Sequence, residues 1–568
     1  MAFLVKKVID GKVYLYLRHN HRVKGKVKTA WQVYLGPEEK FKTHAKIVKC
    51  DIKTETIEFG LIAALLHVAE KLELVDIINQ ATNKREQGFS VGGHLLFAAL
   101  NRCVQPASKS QLKDWIDSTI LRKIHSNIKV DLDSRAYWTH FRYLSDEVIE
   151  VIENKLVRAI RDTFGVQLNE LSFDPTNFFT YIKPHKPNQT LPNHGYSKEG
   201  RFTLNIVNMS LFCALDGGIP LFHLVYPGNM QDASHFKEMA LPRLKRRLKE
   251  QNVSLANVTL IFDKGNLSPE GFALIDNWKC DYICSDRPST HKNLLTIPPE
   301  EFELHVLPNG NEVGVKDFHL NKYGKIRRFV AVYNPNEKKW NLENFKAKIR
   351  KKIAEIEGYF KTRLVYAPGE KRKGQGDKWR IRTEVEKKIK AMIGGDPFAK
   401  VIVAAVEGPA KLQVARGGRF ELKISTNPEA FKKAALTLGK SFLMTSRETL
   451  SADEVVWAYR QQYLVERAFK WLKNSEFLSI RPMYHRVDSS IRGHVFVCYL
   501  GLVLLSLLVR EIVQLGVPIS INKAIKHLKE IRMTRIKISG KSEPLENIDE
   551  MSQEAKELYE ILKLDRYL

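Results

Sequence analysis

The chain is short of nearly everything that marks a secreted or membrane-bound protein. Six cysteines in 568 residues (Cys50, Cys103, Cys213, Cys280, Cys284 and Cys498) are too few and too scattered for a disulfide framework. Cys280 and Cys284 form a C-x3-C pair, but no second Cys or His pair lies nearby to complete a zinc site. They read as buried thiols in a reducing cytoplasm. No apolar run reaches the roughly 20 residues a membrane span needs. The longest, Val495 to Val509, carries Gly501 and Ser506 and reads as a buried core helix. The N-terminal MAFLVKKVIDGKVYLYL lacks the charge, apolar block and small residues of a signal peptide. No repeat of fixed period is present. Acidic residues are the remaining shortage: 64 Asp+Glu stand against 91 Lys+Arg, a net charge of +27. Such a surplus points to a polyanionic partner, since neutralising phosphates releases counterions. Nucleic acid fits better than membrane, because no polybasic cluster borders a spanning segment.

Hydrophobic periodicity divides the chain. Residues 1–50 alternate around the basic turn RHNHRVKGKVK and read as a small β unit. Residues 51–165 turn helical, as in IAALLHVAEKLELVDIINQ, and are assigned to a helical DNA-binding domain. Three successive strands follow, LSFDPTNFFTYI, RFTLNIVNMSLFCAL and IPLFHLVYPGN, and then helix alternates with strand through VTLIFDKG and DYICSD. Residues 166–290 thereby open a core that residues 441–515 complete. Residues 291–440 break the order with hairpin-like strands, a charged helix and glycine-containing basic loops, and read as a β-rich insertion. Residues 516–568 read as a basic C-terminal tail. Three strands followed by helix–strand alternation predict an α/β fold with a mixed sheet flanked by helices.

Chemistry concentrates at three acidic residues. Asp174 lies in LSFDPT and Asp263 ends VTLIFD, both at strand positions of one expected sheet. Each alone suits a turn or cap, as Asp174 precedes a proline and Asp263 a Lys-Gly turn. Two carboxylates at one sheet edge can also converge, with a divalent ion relieving their repulsion. The stretch YRQQYLVERAFKWLK, wound as one helix, gathers Tyr459, Gln462, Glu466 and Lys473 within an arc of about 60°, with Lys470 beside them. A solvated face with a Glu466–Lys470 pair is one reading of it. A phosphate- and metal-holding face, with Glu466 as a third oxygen ligand, is the other. Three carboxylates without His or Cys suit Mg²⁺ or Mn²⁺, and a two-ion site of that kind drives in-line phosphodiester displacement.

In this order the residues resemble the DDE transposases with an RNase H-like core. The pattern Y-x2-R-x3-E-x6-K further resembles the YREK-signature group of bacterial and archaeal insertion-sequence transposases. It appears here as Tyr459, Gln462, Glu466 and Lys473, with glutamine in place of arginine. The HGYSKEGR loop (His194–Arg201), the DGGIPLFHLVYPGN strand pair and the IRPMYH and RGHVFV segments are similar to that group. So is a β-rich interruption between Asp263 and Glu466. The resemblance covers about residues 165–515. It implies Asp174, Asp263 and Glu466 as catalytic ligands of Mg²⁺ or Mn²⁺, two ions in number. It implies Tyr459, Gln462, Lys470 and Lys473, with Lys198 and Arg201, as contacts to DNA. It further implies cleavage of double-stranded transposon ends, joining of the 3′-hydroxyl to target DNA, and a homodimeric synaptic complex. The setting would be the cytoplasm of a prokaryotic cell, at the nucleoid, with no membrane partner. An RNase H-like nuclease or resolvase without strand transfer, or a domesticated non-catalytic DNA-binding protein, is the alternative.

Other motifs compete less well. AALTLGKS (Ala434–Ser441) matches a P-loop expression, but a helix precedes it and a strand follows, the reverse of a phosphate cradle. KRKGQGDKWR and the ARGGR turn (Ala415–Arg419) suit either DNA contact or solvation. Trp340 and Trp379 suit core packing before base stacking.

Overall fold

The computed structural model describes residues 2–23, 26–39, 52–84, 88–125, 132–184, 187–371, 378–395, 397–538 and 544–568. Cys50 and most of the loop KRKGQGDKWR lie outside the described residues. Alternation at the N-terminus yields strands β1 (Ala2–Ile9), β2 (Lys12–Val23) and β3 (Lys26–Pro37), paired antiparallel in that order. Strand β4 (Ile52–Glu58) leads into helices α1 (Gly60–Lys71), α2 (Leu74–Ala81), α3 (Val91–Val104), α4 (Ser134–Phe141) and α5 (Asp146–Phe164). Ser90, Asp133 and Ser145 cap α3, α4 and α5, each side chain accepting from a first-turn amide.

Strands β5 (Glu170–Thr180), β6 (Asn205–Ala214) and β7 (Ile219–Pro227) come next. Helix α6 (Leu241–Glu250), β8 (Thr259–Phe262), α7 (Pro269–Asn277) and β9 (Asp281–Asp286) continue the alternation. Then come β10 (Glu303–Val306), β11 (Glu312–Lys322), β12 (Lys325–Tyr333), α8 (Pro335–Phe360), β13 (Val365–Tyr366) and α9 (Arg382–Ile393). Strands β14 (Ile402–Glu407), β15 (Gly418–Arg419) and β16 (Glu421–Thr426) precede α10 (Pro428–Leu436) and β17 (Lys440–Thr445). The last elements are α11 (Ala452–Arg460), α12 (Tyr463–Leu472), α13 (Asp488–Gln514), α14 (Ile521–Glu530), β18 (Arg532–Ile538), β19 (Leu545–Ile548) and α15 (Gln553–Ile561).

Two compact units result. The first comprises Met1–Leu260, Glu270–Cys280 and Gln462–Leu568, the second Ile261–Pro269 and Asp281–Gln461. The fold is mixed α/β, sheets flanked by helices. In the first unit β5, β6 and β7 form an antiparallel meander with Asp174 opposite Leu211. β8 starts beside β5, the Thr259 amide donating to the Asn169 carbonyl at 2.8 Å, so the two run parallel. β6 and β7 are buried nearly throughout, which accounts for their continuous apolar sequence.

Helix α13 packs on β7 and α3 and is apolar on every side for the same reason. It is long and apolar enough to cross a membrane, yet 89% of its apolar window is buried in the protein. Gly501 permits its close approach to α3: a Cβ there would lie 2.8 Å from Leu478 Cδ2 and 3.0 Å from Cys103 Sγ. The five described cysteines are buried and in no disulfide. A buried ionic cluster ties α5, α6 and β7. Glu153 accepts from the His223 amide at 3.0 Å, from His223 Nδ1 at 2.6 Å and from Arg247.

The second unit carries an antiparallel run in the order β10–β11–β12–β17–β9. Helix α11 lies across β9, β11, β12 and β17. A separate core gathers Phe345, Ile356 and Phe360 of α8 with Trp379, Val385 and Ile389.

Three expectations are corrected here. The segment 291–440 is mixed rather than simply β-rich: it holds strands β10 to β16, but α8 spans 26 residues and α9 another 12, and α8 buries Phe345, Ile349, Ile356 and Phe360 on one side. Residues 516–568 are not a separate tail, because β18 pairs antiparallel with β4 over Arg532–Ile538. The stretch Tyr459–Lys473 is two helices, α11 and α12, with a turn at Gln461 and Gln462.

Candidate active site

Each unit holds part of the expected set. In the first, α12 packs over β6 and over β5, the strand that bears Asp174. Leu464, Val465, Ala468, Phe469 and Leu472 form the buried side of α12, leaving Glu466 and Lys470 exposed. Asp174 is half-buried in β5, and its charge reaches Cys213, whose thiol is pushed up first by burial and then by that carboxylate. Burial first, then Asp232 and Asp174, also raises the Tyr226 phenol.

The HGYSKEGR loop is built onto the same strand. Asn177 of β5 donates to the Tyr196 carbonyl at 2.9 Å and accepts from the Lys198 amide at 3.1 Å. Gly195 has no room for a side chain, since a Cβ would fall 2.1 Å from the Gly228 carbonyl oxygen. Lys198 Nζ then donates to the Pro175 carbonyl at 2.6 Å and pairs with Asp232 at 3.2 Å. Asp232 also accepts from Tyr226 at 3.2 Å, and Tyr226 stacks on His235. Burial, followed by Arg243, pushes the His235 imidazole down to about 3, so it is neutral.

Lys473, at the end of α12, donates to Thr176 Oγ1 at 2.9 Å and pairs with Glu199 at 3.3 Å. Arg481 pairs with the same carboxylate. Phe178 and Phe179 of β5 lie under these cations, 5.4 Å from Lys473, 4.9 Å from Arg481 and 5.6 Å from Arg201. Burial lowers the Lys473 pKa, and Glu199 works against that shift. Gln462 is only 6% exposed.

In the second unit, Asp263 follows β8 and is half-buried. Ser285 of β9 donates its hydroxyl to Asp263 Oδ1 and accepts from the Lys264 amide at 2.9 Å. Tyr459 of α11 donates to the same Oδ1 at 3.3 Å. Burial and then the Asp263 charge raise the Tyr459 phenol, which keeps its proton on that bond. Tyr459 is therefore engaged with a carboxylate in this structure rather than open to solvent.

Among the described residues, no three His, Cys, Asp or Glu side chains converge as a metal cage would require. The available donors remain hard carboxylate oxygens, the chemistry that suits Mg²⁺ or Mn²⁺. Glu199, Asp232, Thr176 and Arg481 join the neighbourhood without having stood out in the sequence. Glu199 and Arg481 lie inside quoted motifs, but no spacing rule marks them. The P-loop look-alike is excluded by its geometry: α10 leads into β17, and Lys440 Nζ donates to the carbonyls of Leu295, Ile297 and Leu436. Trp379 is buried in the second unit's own core, whereas Trp340 is 68% exposed.

Comparison with known proteins shows the family of the chain. The family described as transposase DDE domain matches residues 180–503, a stretch that contains Asp263 and Glu466 and begins after Asp174. No curated protein matches the sequence. Among solved structures, the chain is similar to the piggyBac transposase in a cryo-EM synaptic complex with hairpin DNA. Identity is 10% and the TM-score 0.36, over 82% of this chain and 79% of that one. That likeness is too distant to add to the family match.

Proposed function

From a chain that belongs to the transposase DDE domain family, we propose an enzyme that binds the ends of its insertion sequence, cleaves them and joins the freed 3′-hydroxyl to target DNA. The family match across Asp263 and α12 carries this reading. We assign the chain within that family to the YREK-signature group, with Gln462 in the arginine position, and to a homodimeric complex on paired ends.

Asp174, Asp263 and Glu466 would hold the divalent ions, Mg²⁺ or Mn²⁺ and two in number. When bound, such ions activate the attacking oxygen and stabilise the leaving one in an in-line displacement. The protein's own groups position the rest. Ser285 and Tyr459 fix Asp263 by two hydrogen bonds. Lys198, anchored on the carbonyl next to Asp174, sets positive charge beside the strand that enters there. Lys473, Lys470 and Arg201 meet the DNA backbone, while Gln462 is buried.

Asp174→Asn and Glu466→Gln are expected to abolish metal-dependent cleavage of end DNA while gel-shift affinity for that DNA persists. Full cleavage by either variant would sink the site assignment. Recovery of cleaved ends that never join a target would leave a nuclease in place of a transposase.

A further inference from the structure

A second concentration of positive charge lies in the first unit. Arg102 of α3, Lys109, Arg481 and His494 of α13 line a cavity of about 600 Å³ together with Trp138 of α4 and Tyr484. Among the described residues, no carboxylate lines it. Lys109 is 7% exposed and Arg102 8%. Arg102 spends its Nη groups on the carbonyls of Ser479 and Ala107, at 3.3 and 2.7 Å, and its Nε has no partner. His494 donates through Nε2 to the Ile480 carbonyl, 2.8 Å away, and its Nδ1 is likewise unpartnered.

Buried cations without counter-ions are costly, and proteins seldom keep them unless an anion completes the site. The strain shows in the titration of the neighbours. Burial, then Arg102, pushes Lys109 down to about 7, and burial, Lys109 and Arg102 push His485 down to about 3. The wall chemistry narrows the anion. Serines 108, 110 and 134 add hydroxyl donors. Trp138 and Tyr484 are 49% and 77% exposed, so each offers an open aromatic face. Arg481 connects the cavity to the Glu199–Lys473 pair at the end of α12.

We propose that this cavity takes a phosphate of an unpaired DNA strand, with Lys109 and Arg102 as its cationic floor and Trp138 and Tyr484 as stacking walls. Only an unpaired base offers a free face to an aromatic ring, so an intact duplex would not use the walls. The inference rests on the DNA-binding reading but needs no cleavage.

The test uses the full chain, a fluorescent oligothymidylate, a blunt duplex and inorganic phosphate. Lys109→Met and Trp138→Ala are each expected to weaken oligothymidylate binding about tenfold, with duplex binding unchanged. Trp138 is partly exposed, so its variant keeps the test sound should Lys109→Met fold poorly, which a thermal melt reports. Oligothymidylate is expected to raise the melting temperature of the wild type more than inorganic phosphate does. Wild-type oligothymidylate binding in a folded Lys109→Met and in Trp138→Ala would overturn the cavity assignment. Equal stabilisation by inorganic phosphate and oligothymidylate would overturn the strand as its source. Failure to bind either DNA would instead overturn the reading of the protein as DNA-binding.

Discussion

Glu199 is the anion shared by both cations at the end of α12, and removing its charge is the most direct test of what those cations do. Lys473 Nζ lies 3.3 Å from it, with the two side chains 22% and 18% exposed, and Arg481 pairs with it from the other side. Glu199→Gln keeps the shape and a hydrogen-bonding oxygen. At 3.3 Å the Coulomb attraction is about 5 kcal/mol for an effective dielectric near 20. Desolvation, side-chain entropy and screening reduce the net value to about 1 kcal/mol. A DNA phosphate that recruits Lys473 has to displace Glu199 and forgo that amount. The glutamine variant is therefore expected to bind end DNA roughly fivefold tighter. Its salt dependence should also steepen by about 0.9 in the logarithmic slope, because an unpaired lysine now releases a counterion. Fluorescence anisotropy across a salt series measures both quantities. Unchanged affinity with an unchanged slope would show that neither Lys473 nor Arg481 meets phosphate.

Glu153→Gln is expected to destabilise the first unit by about 3–5 kcal/mol, because Arg247 and His223 lose their buried anion. Pairing it with Arg247→Met should recover part of the loss; a melting temperature equal to wild type in the single variant would refute the cluster's role. Stability should also fall in two stages on acidification. Burial lowers His94 to about 4 and His235 and His485 to about 3. Their contribution is complete above the unfolded value near 6.5 and is lost as pH falls from there toward the folded values. Glu153, Glu150, Asp286 and Glu511 are pushed up by burial but held below their ordinary range by Arg247, Arg246, His291 and His67 among others. Their stabilisation is present above about 4.3 and is lost below it. Calorimetry across pH checks this, and a flat melting temperature between pH 7 and 5 would refute the neutral buried histidines.

What could be read from the sequence follows physical range. β5, β6 and β7 were legible because continuous apolar runs broken by DGG and a polar loop are local signals. The strand MTRIKI was read as part of a basic tail, because its partner β4 lies almost the whole chain away and no local pattern announces such a pairing. The turn at Gln461 and Gln462 was hidden because both residues keep helical backbone angles, φ −63° and −57°, and glutamine is a good helix former. Asp174 and Asp263 stood out as carboxylates at apolar strands. The bonds that Asn177, Ser285 and Glu199 make across neighbouring segments needed the three-dimensional structure.

The helix break also bears on the one departure from the YREK pattern. On a single helix Gln462 would share a solvent-facing arc with Glu466, and an amide there would be a weak substitute for arginine's bidentate charge. In the structure the residue is the first-turn neighbour of α12 and 6% exposed, while Glu466 points outward. An arginine at so enclosed a position would have to bury a guanidinium, which is costly without a paired anion. A neutral amide carries no such cost. Tyr459 likewise belongs to α11 rather than α12 and is bonded to Asp263. The motif positions thus work through separate partners, Asp263 for Tyr459 and Glu199 for Lys473. Of the cations proposed to meet DNA, Lys470 and Arg201 already face outward, whereas Lys473 has first to leave Glu199.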